Sequence, residues 1–247
     1  MVVGGSIYKD LLVLIPTFNE ERGITRVIKG IRNVLGPEVT ILSVNDGSSD
    51  QSATRARAAG AIVVDLPFNM GYGVALKTGY KYALQKGFRY LVQMDGDGQH
   101  DPACLPQLLE PLINGRAHLV LGSRYLGKTT YRVPLARRWG QAMFAGILRL
   151  LTGETVTDPT SGMQAMHRDI LELYTSDIFP ADYPDADVLL LLHYSGFRLT
   201  EAASTFHADE SGQSMHRGFG PIYYLYKVLL SIFIVILNRR NFKRTLK

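Results

Sequence analysis

Short apolar runs alternating with amphipathic helical patterns predict an α/β fold: a mostly parallel sheet with helices on both faces, plus one membrane-associated helix at the C-terminal end. Three observations carry this expectation. Strand-like runs such as "LLVLIP" and "VTILSV" are each followed by a segment with apolar residues at helical spacing. Acidic, glycine-punctuated segments stand where those runs end, as ligand-binding loops do at the carboxyl ends of parallel strands. A long apolar stretch, Ile222 to Leu237, directly precedes a basic tail and belongs to no strand-helix unit.

The elements follow in order. Leu11 to Pro16 reads as a buried strand, and Ile24, Val27, Ile28, Ile31 and Leu35 recur every three or four residues, which marks the first helix. Val39 to Val44 is a β-branched strand running into "NDGSSD", where Ser49 or Asp50 is placed to cap a helix from Gln51 to Ala59. A third strand at Ala61 to Asp65, a glycine-rich loop and a helix from about Val74 to Gln85 lead to a fourth strand, Tyr90 to Met94. A helix near Ala103 to Asn114 and a fifth strand at His118 to Gly122 complete the regular series. Beyond Arg124 the alternation stops, and a loop, a helix from Leu135 to Leu151 and a mixed region to about Asp209 follow. The organisation expected is one domain over residues 1–210, with halves at about 1–122 and 123–210, and a juxtamembrane or membrane-embedded helix with its basic tail over 211–247. No internal repeat or low-complexity segment interrupts it.

With 247 residues, 46% hydrophobic and 20% charged, the chain has the composition of a folded protein and can bury a full core. The net charge of +5 is less informative than its placement. Arg239, Arg240, Lys243, Arg244 and Lys247 crowd together after the apolar stretch, a pattern that points to a membrane surface before nucleic acid. The single cysteine, Cys104, excludes an internal disulfide framework and a cysteine zinc site, and fits a reducing compartment. The opening "MVVGGSIYKDLLVLIP" lacks the basic start, long apolar core and cleavage site of a signal peptide.

The fourth strand ends in "DGDGQHD", where Asp95, Asp97 and Asp101 precede Pro102. Carboxylates this close disfavour one another unless a cation or a proton lies between them. Asp95 and Asp97 can hold a hard divalent cation while leaving much of its oxygen coordination open to substrate phosphates. The same letters also make an ordinary acidic turn, since Asp and Gly are favoured there for local reasons. Asp46, in "NDGSSD", lies on the same rim, where a carboxylate can accept from a nucleobase ring N–H, with Pro16 to Glu20 alongside. "FNMGYGVALKTGY" brings Gly71, Gly73 and Gly79 to the start of a helix. Leu76 stands where a dinucleotide fingerprint needs its third glycine, so a tight turn, close packing and ligand contact all remain open for these glycines.

The ordered set "PTFNE", "NDGSSD", "NMGYGVAL", "DGDGQH", "GSRY" and "DPTSGMQAM" resembles the family 2 glycosyltransferases of the Rossmann-like GT-A fold. Within them it is similar to the polyprenyl-phosphate sugar transferases related to dolichol-phosphate mannose synthase. The resemblance runs from about residue 11 to 217, and six modest motifs in order make it specific. It implies transfer of a hexose from a UDP- or GDP-sugar to an undecaprenyl or dolichyl phosphate, with Mg2+ or Mn2+ and inversion at the anomeric carbon. It implies that Pro16, Phe18, Glu20, Asp46, Gly71 and Asp95 contact the nucleotide sugar. Asp95, Asp97 and Gln99 match the metal motif, with Asp97 and Gln99 as the direct ligands. Arg124 and Arg137 match arginines associated with the acceptor phosphate and the donor diphosphate. Two departures stand out. Asn45 replaces the usual first aspartate, and "HADESGQSMHR" offers Ser214, His216 and Arg217 to the acceptor phosphate in place of an Arg and a Ser-Lys pair.

A hydroxyl acceptor must lose a proton and calls for a general base. A lipid monophosphate has a second pKa of about 6 and arrives anionic near neutral pH. The protein then needs cations that hold two anionic substrates together, and the planar fork of Arg124 or Arg137 suits phosphate oxygens. Asp187, at the start of an apolar helix, is the reserve candidate for a base, although an acid is favoured there by the helix dipole alone. Asp158 reads as a brace for the turn around Pro159 and Gly162. His100 adjoins the metal motif, while His167, His193, His207 and His216 show no metal-ligand spacing.

Ile222 to Leu237 is sixteen residues with Lys227 as its only charge. As a helix it measures roughly 24 Å, against a hydrocarbon core of about 30 Å that asks for about twenty residues. The stretch reads as embedded or interfacial, with the basic tail on anionic headgroups; a buried core helix is the other reading. A nucleotide sugar, a polyprenyl phosphate and a membrane are the expected partners, without nucleic acid, and a homo-oligomer or a small membrane-protein partner is compatible. The expected location is the cytoplasmic membrane, with the catalytic domain in the cytoplasm. Two alternatives stand beside this: a membrane-associated glycosyltransferase acting on a hydroxyl of a glycan or glycolipid, and a catalytically silent nucleotide-sugar-binding subunit.

Overall fold

The computed structural model describes residues 7–127, 135–176, 186–207 and 220–242, without the side chains of 135–137, 220–225 and 240–242. Seven strands form one sheet: β1 (Leu11–Thr17), β2 (Thr40–Asn45), β3 (Ile62–Asp65), β4 (Tyr90–Gln93), β5 (Leu119–Ser123), β6 (Gln164–His167) and β7 (Leu199–Ala203), in the order β3-β2-β1-β4-β6-β5-β7. All neighbours pair in parallel except β6, which runs antiparallel to both β4 and β5.

Helices cover both faces because every strand of the centre is apolar on both sides. Leu11, Val13 and Ile15 of β1 face one hydrophobic cluster, and Leu12 and Leu14 face the other. Helices α1 (Ile24–Leu35), α2 (Ser52–Ala58) and α4 (Leu105–Ile113) close the first cluster. Ile24, Val27, Ile28, Ile31 and Leu35 are all buried there, as their spacing requires. Helices α3 (Tyr72–Lys86), α5 (Leu135–Thr152), α6 (Arg168–Thr175), α7 (Ala186–Tyr194) and α8 (Gly220–Phe242) close the second. A Cβ on Gly79 would lie 2.3 Å from the Leu14 side chain, so this glycine lets α3 sit directly on β1.

The region past Arg124, expected as mixed structure, completes the sheet instead. β6 inserts between β4 and β5, and β7 adds an edge, so both halves of the chain share one sheet. α7 packs against α5 on one side and α8 on the other. No helix among the described residues is long and apolar enough to cross a membrane. Nor is α8 a core helix: Val228, Ile232 and Val235 are buried, while Tyr226, Leu229, Leu230, Phe233, Ile234 and Leu237 lie on the surface.

Candidate active site

The loops after β1, β2, β3 and β4 meet at one end of the sheet, as parallel strand order dictates. The first two are stapled reciprocally. Asn19 N–H donates to Ser48 Oγ (3.0 Å), and Asn19 Oδ1 accepts from Ser49 N–H (2.9 Å). Glu20 N–H donates to Ser52 Oγ (2.7 Å) and Glu21 N–H to Asp50 Oδ2 (3.1 Å), while Gln51 N–H returns to Glu21 Oε2 (3.2 Å). Asp50, expected as a helix cap, also accepts from Ser52 N–H at 2.9 Å and so ties the start of α2 to the first loop. Burial alone would raise its carboxyl, but the hydrogen bonds from Ser52 and Glu21 outweigh that and hold its pKa below the usual 3.8.

Asp46 is buried, and its two carboxylate oxygens accept from Met70 N–H (2.7 Å) and Gly71 N–H (2.9 Å). Its charge therefore shapes the loop between β3 and α3. Asn45 has a physical reason to be neutral: its Nδ2 donates to Asp65 Oδ1 at 2.9 Å, where an aspartate would meet a like charge. Phe18, from the first loop, is exposed on the same rim.

The metal motif is held from three sides. Asp97 Oδ1 and Oδ2 accept from Gln99 N–H (2.8 Å) and Gln99 Nε2 (2.7 Å). Asp95 Oδ1 accepts from Tyr72 Oη (3.1 Å), and Oδ2 lies 3.7 Å from His100 Nε2. His100 Nδ1 accepts from Asp95 N–H (3.2 Å), so the ring proton sits on Nε2, facing the carboxylate. A Cβ on Gly162, just before β6, would come within 2.7 Å of Asp95 Oδ2, so a larger residue there would push this carboxylate aside.

Sequence reasoning missed the next layer. Gln93 Nε2 donates to Tyr72 Oη and to Gly162 O, both at 3.1 Å, and its Oε1 accepts from Tyr80 Oη at 2.6 Å. Burial pushes the Tyr80 phenol far up, so it stays a donor at all ordinary pH. A polar Gln in an otherwise apolar strand was the available signal. Asp95, Asp97 and Gln99 together offer hard oxygen donors suited to Mg2+ or Mn2+. Among the described residues no group of three or more His, Cys, Asp or Glu side chains is placed to hold a metal. Two carboxylates and an amide fit a cation that completes its shell on a diphosphate.

The arginines divide. Arg124 is buried; its Nε and Nη2 donate to Asp158 Oδ2 (2.6 Å) and Oδ1 (2.7 Å), and Nη2 also reaches Thr160 O (3.2 Å). Burial would lower its pKa, but the Asp158 partner keeps it raised. Asp158 thus braces the turn as expected, with Arg124 as the reason. The Arg137 side chain, Ser214 and Arg217 lie outside the described residues. Asp187 is 1% exposed and accepts from Ser231 Oγ of α8, which places the reserve base inside the helix layer. A separate groove of about 830 Å3 runs along β7, between Glu110, Arg116, His193 and Arg198, and includes none of the rim residues.

Comparison with known proteins bears on this geometry. The profile of glycosyl transferase family 2 matches residues 12–175, the span that builds the rim. The chain belongs to that family. The polyprenol monophosphomannose synthase of Mycolicibacterium smegmatis is 32% identical over 216 residues, covering 84% of this chain and 81% of that protein. The undecaprenyl-phosphate mannosyltransferase of Micrococcus luteus is 31% identical over 219 residues, covering 84% and 88%. Glucosyl-3-phosphoglycerate synthase from Mycobacterium tuberculosis, solved with phosphoglyceric acid, superposes with a TM-score of 0.65 at 23% identity over 91% of this chain and 79% of that one. The same enzyme solved with Mn2+, UDP-glucose and phosphoglyceric acid gives 0.63 at 21% identity, over 91% and 78%. These likenesses establish the GT-A fold for this family 2 member.

Proposed function

We propose that this family 2 protein transfers a hexose from a nucleotide-diphosphate sugar to a polyprenyl phosphate at the cytoplasmic membrane, with inversion and with Mg2+ or Mn2+. The observation that carries the reading is the convergence of Asp95, Asp97 and Gln99 with the stapled nucleotide loops on one rim. It is supported by relatives named for transfer to lipid phosphates.

In this mechanism Asp95, Asp97 and Gln99 would hold the cation, which would supply positive charge against the departing nucleoside diphosphate. Tyr72, His100 and Gln93 fix the Asp95 carboxylate, so the rim is oriented before substrate arrives. Asp46 holds the 70–71 backbone beside Phe18, Pro16 and Glu20, which line the base end. The acceptor is already anionic, and no protein base is required. Arg124 is largely engaged by Asp158, so Arg137, with Ser214 and Arg217, takes the greater part of the acceptor phosphate. The enclosure of Asp187 against Ser231 counts against the hydroxyl-acceptor alternative.

The test is release of nucleoside diphosphate from a panel of UDP- and GDP-hexoses, with undecaprenyl or dolichyl phosphate and with EDTA controls. Release should need both metal and lipid phosphate and should fall with Asp97→Ala. Full activity of Asp97→Ala would remove the metal assignment, and turnover on a hydroxyl acceptor lost in Asp187→Asn would favour the alternative. Absence of any release would leave the silent-subunit reading.

A further inference from the structure

Leaving β7, the chain crosses back to the metal motif. Ser204 N–H donates to Ser123 O (3.1 Å), beside Arg124. Asp101 N–H then donates to Thr205 O (3.2 Å) and His207 N–H to Gln99 O (2.8 Å), so the chain at 205–207 runs antiparallel to 99–101 and sets His100 opposite Phe206. Thr205 N–H also donates to Cys104 Sγ (3.2 Å), a further tie to the same loop. Hydrogen bonds that flank a pair, rather than join it, mark the narrow pair of an antiparallel ladder, where opposed side chains lie closest. The His100 and Phe206 rings accordingly meet edge to face, their centroids 4.8 Å apart and their planes at 87°. The Arg124 guanidinium carbon lies 5.2 Å from the centre of the same Phe206 ring. All three side chains are buried. One aromatic ring thus touches both the metal motif and the Arg124–Asp158 brace.

We propose that Phe206 is a positioning residue for the metal motif, acting through His100. His100 steadies Asp95 in one orientation, with Nδ1 accepting from Asp95 N–H (3.2 Å) and Nε2 facing Asp95 Oδ2 (3.7 Å). Backbone pairing places the imidazole; the Phe206 ring, itself held beneath the Arg124 cation, sets how the imidazole is turned. A phenyl ring has a negative face and a positive edge, so it attracts the guanidinium and orients a perpendicular imidazole, whereas an aliphatic side chain of similar size only fills space. Packing and positioning can therefore be separated by experiment. The consequence for cation binding rests on the metal reading under the proposed function, but the orientation of His100 does not.

The experiment uses the full chain, Phe206→Leu, His100→Ala and the double variant, with Mn2+ affinity measured in the presence of UDP or GDP, urea unfolding, and imidazole nitrogen-15 spectra. Phe206→Leu should weaken Mn2+ affinity about tenfold, and His100→Ala by as much or more. The double variant should be no weaker than His100→Ala alone, because a residue that acts through another adds nothing once that other is gone. The His100 signals, assigned by their loss in His100→Ala, should show the neutral ring with its proton on Nε2 in the native chain and a mixture of tautomers in Phe206→Leu. Phe206→Met, which also lacks the ring, should repeat both effects and serves the same test where the leucine variant does not fold. Additive losses in the double variant would overturn the proposal. So would a lowered urea midpoint with Mn2+ affinity and His100 signals unchanged, which would make Phe206 a core residue and nothing more. Failure of the native chain to bind Mn2+ with either diphosphate would remove the metal reading; the His100 tautomer would then decide alone, and its persistence in Phe206→Leu would overturn the positioning role as well.

Discussion

Along the acidic rim the loops are joined by directional polar bonds, Asn19 to Ser48 and Ser49, Glu20 to Ser52, Tyr72 to Asp95. The layer of α5, α7 and α8 is joined instead by apolar area, with Phe144, Leu148, Leu189, Leu190, Val228 and Ile232 in one cluster and Ser231–Asp187 as a polar tie. The contrast follows from the kind of contact that holds each region. A polar rim holds its shape through fixed dipoles and carboxylates, because electrostatic contacts depend on direction. A helix layer closed by apolar area needs only surface of the right polarity, because burial of apolar area is non-directional. Substitutions should therefore act on geometry in the first region and on stability in the second.

The largest effect should come where a directional contact is also buried. Arg124→Ala or Asp158→Ala leaves one charge enclosed without its partner and should cost about 3–5 kcal/mol in urea unfolding. The pair Arg124→Met with Asp158→Leu should recover much of it, since both charges are then gone. Tyr72→Phe removes the donor to Asp95 Oδ1 and the acceptor of Gln93 Nε2. It should weaken Mn2+ affinity measured with a nucleoside diphosphate by about tenfold or more, with a nearly unchanged melting temperature. Ser231→Ala deprives Asp187 of a donor between α7 and α8 and should lower stability by about 1–2 kcal/mol, leaving metal binding alone.

The smallest effect is a pH dependence. Asp50 has its pKa held below 3.8 in the folded protein by Ser52 and Glu21. Its contribution is present above that value and is lost as pH falls through the lower folded pKa. Melting followed from pH 5 to 3 should decline, and Asp50→Asn should flatten part of the decline.

How much of this was legible in the sequence varied with the range of the interactions. β1 to β5 and their helices follow from local periodicity, and the three acidic loops fall at strand ends for that reason. β6, "QAMH", and β7, "LTEAA", lack the continuous apolar run that marks the earlier strands, and β6 takes its place from non-local pairing with β4 and β5. Asp97 and Gln99 were readable as a motif, two residues apart. The Arg124–Asp158 pair spans 34 residues, and the enclosure of Asp187 by Ser231 spans 44. Only the folded chain brings those partners together, which is why the sequence alone did not show the pairing of Arg124 with Asp158.

The most direct measurement is Mn2+ affinity by electron paramagnetic resonance, for the native chain and Asp97→Ala, with and without a nucleoside diphosphate. The account predicts weak binding to the native rim alone, much tighter binding once diphosphate is present, and loss of that gain in Asp97→Ala. Equal affinity with and without diphosphate, or a gain that survives Asp97→Ala, would contradict it.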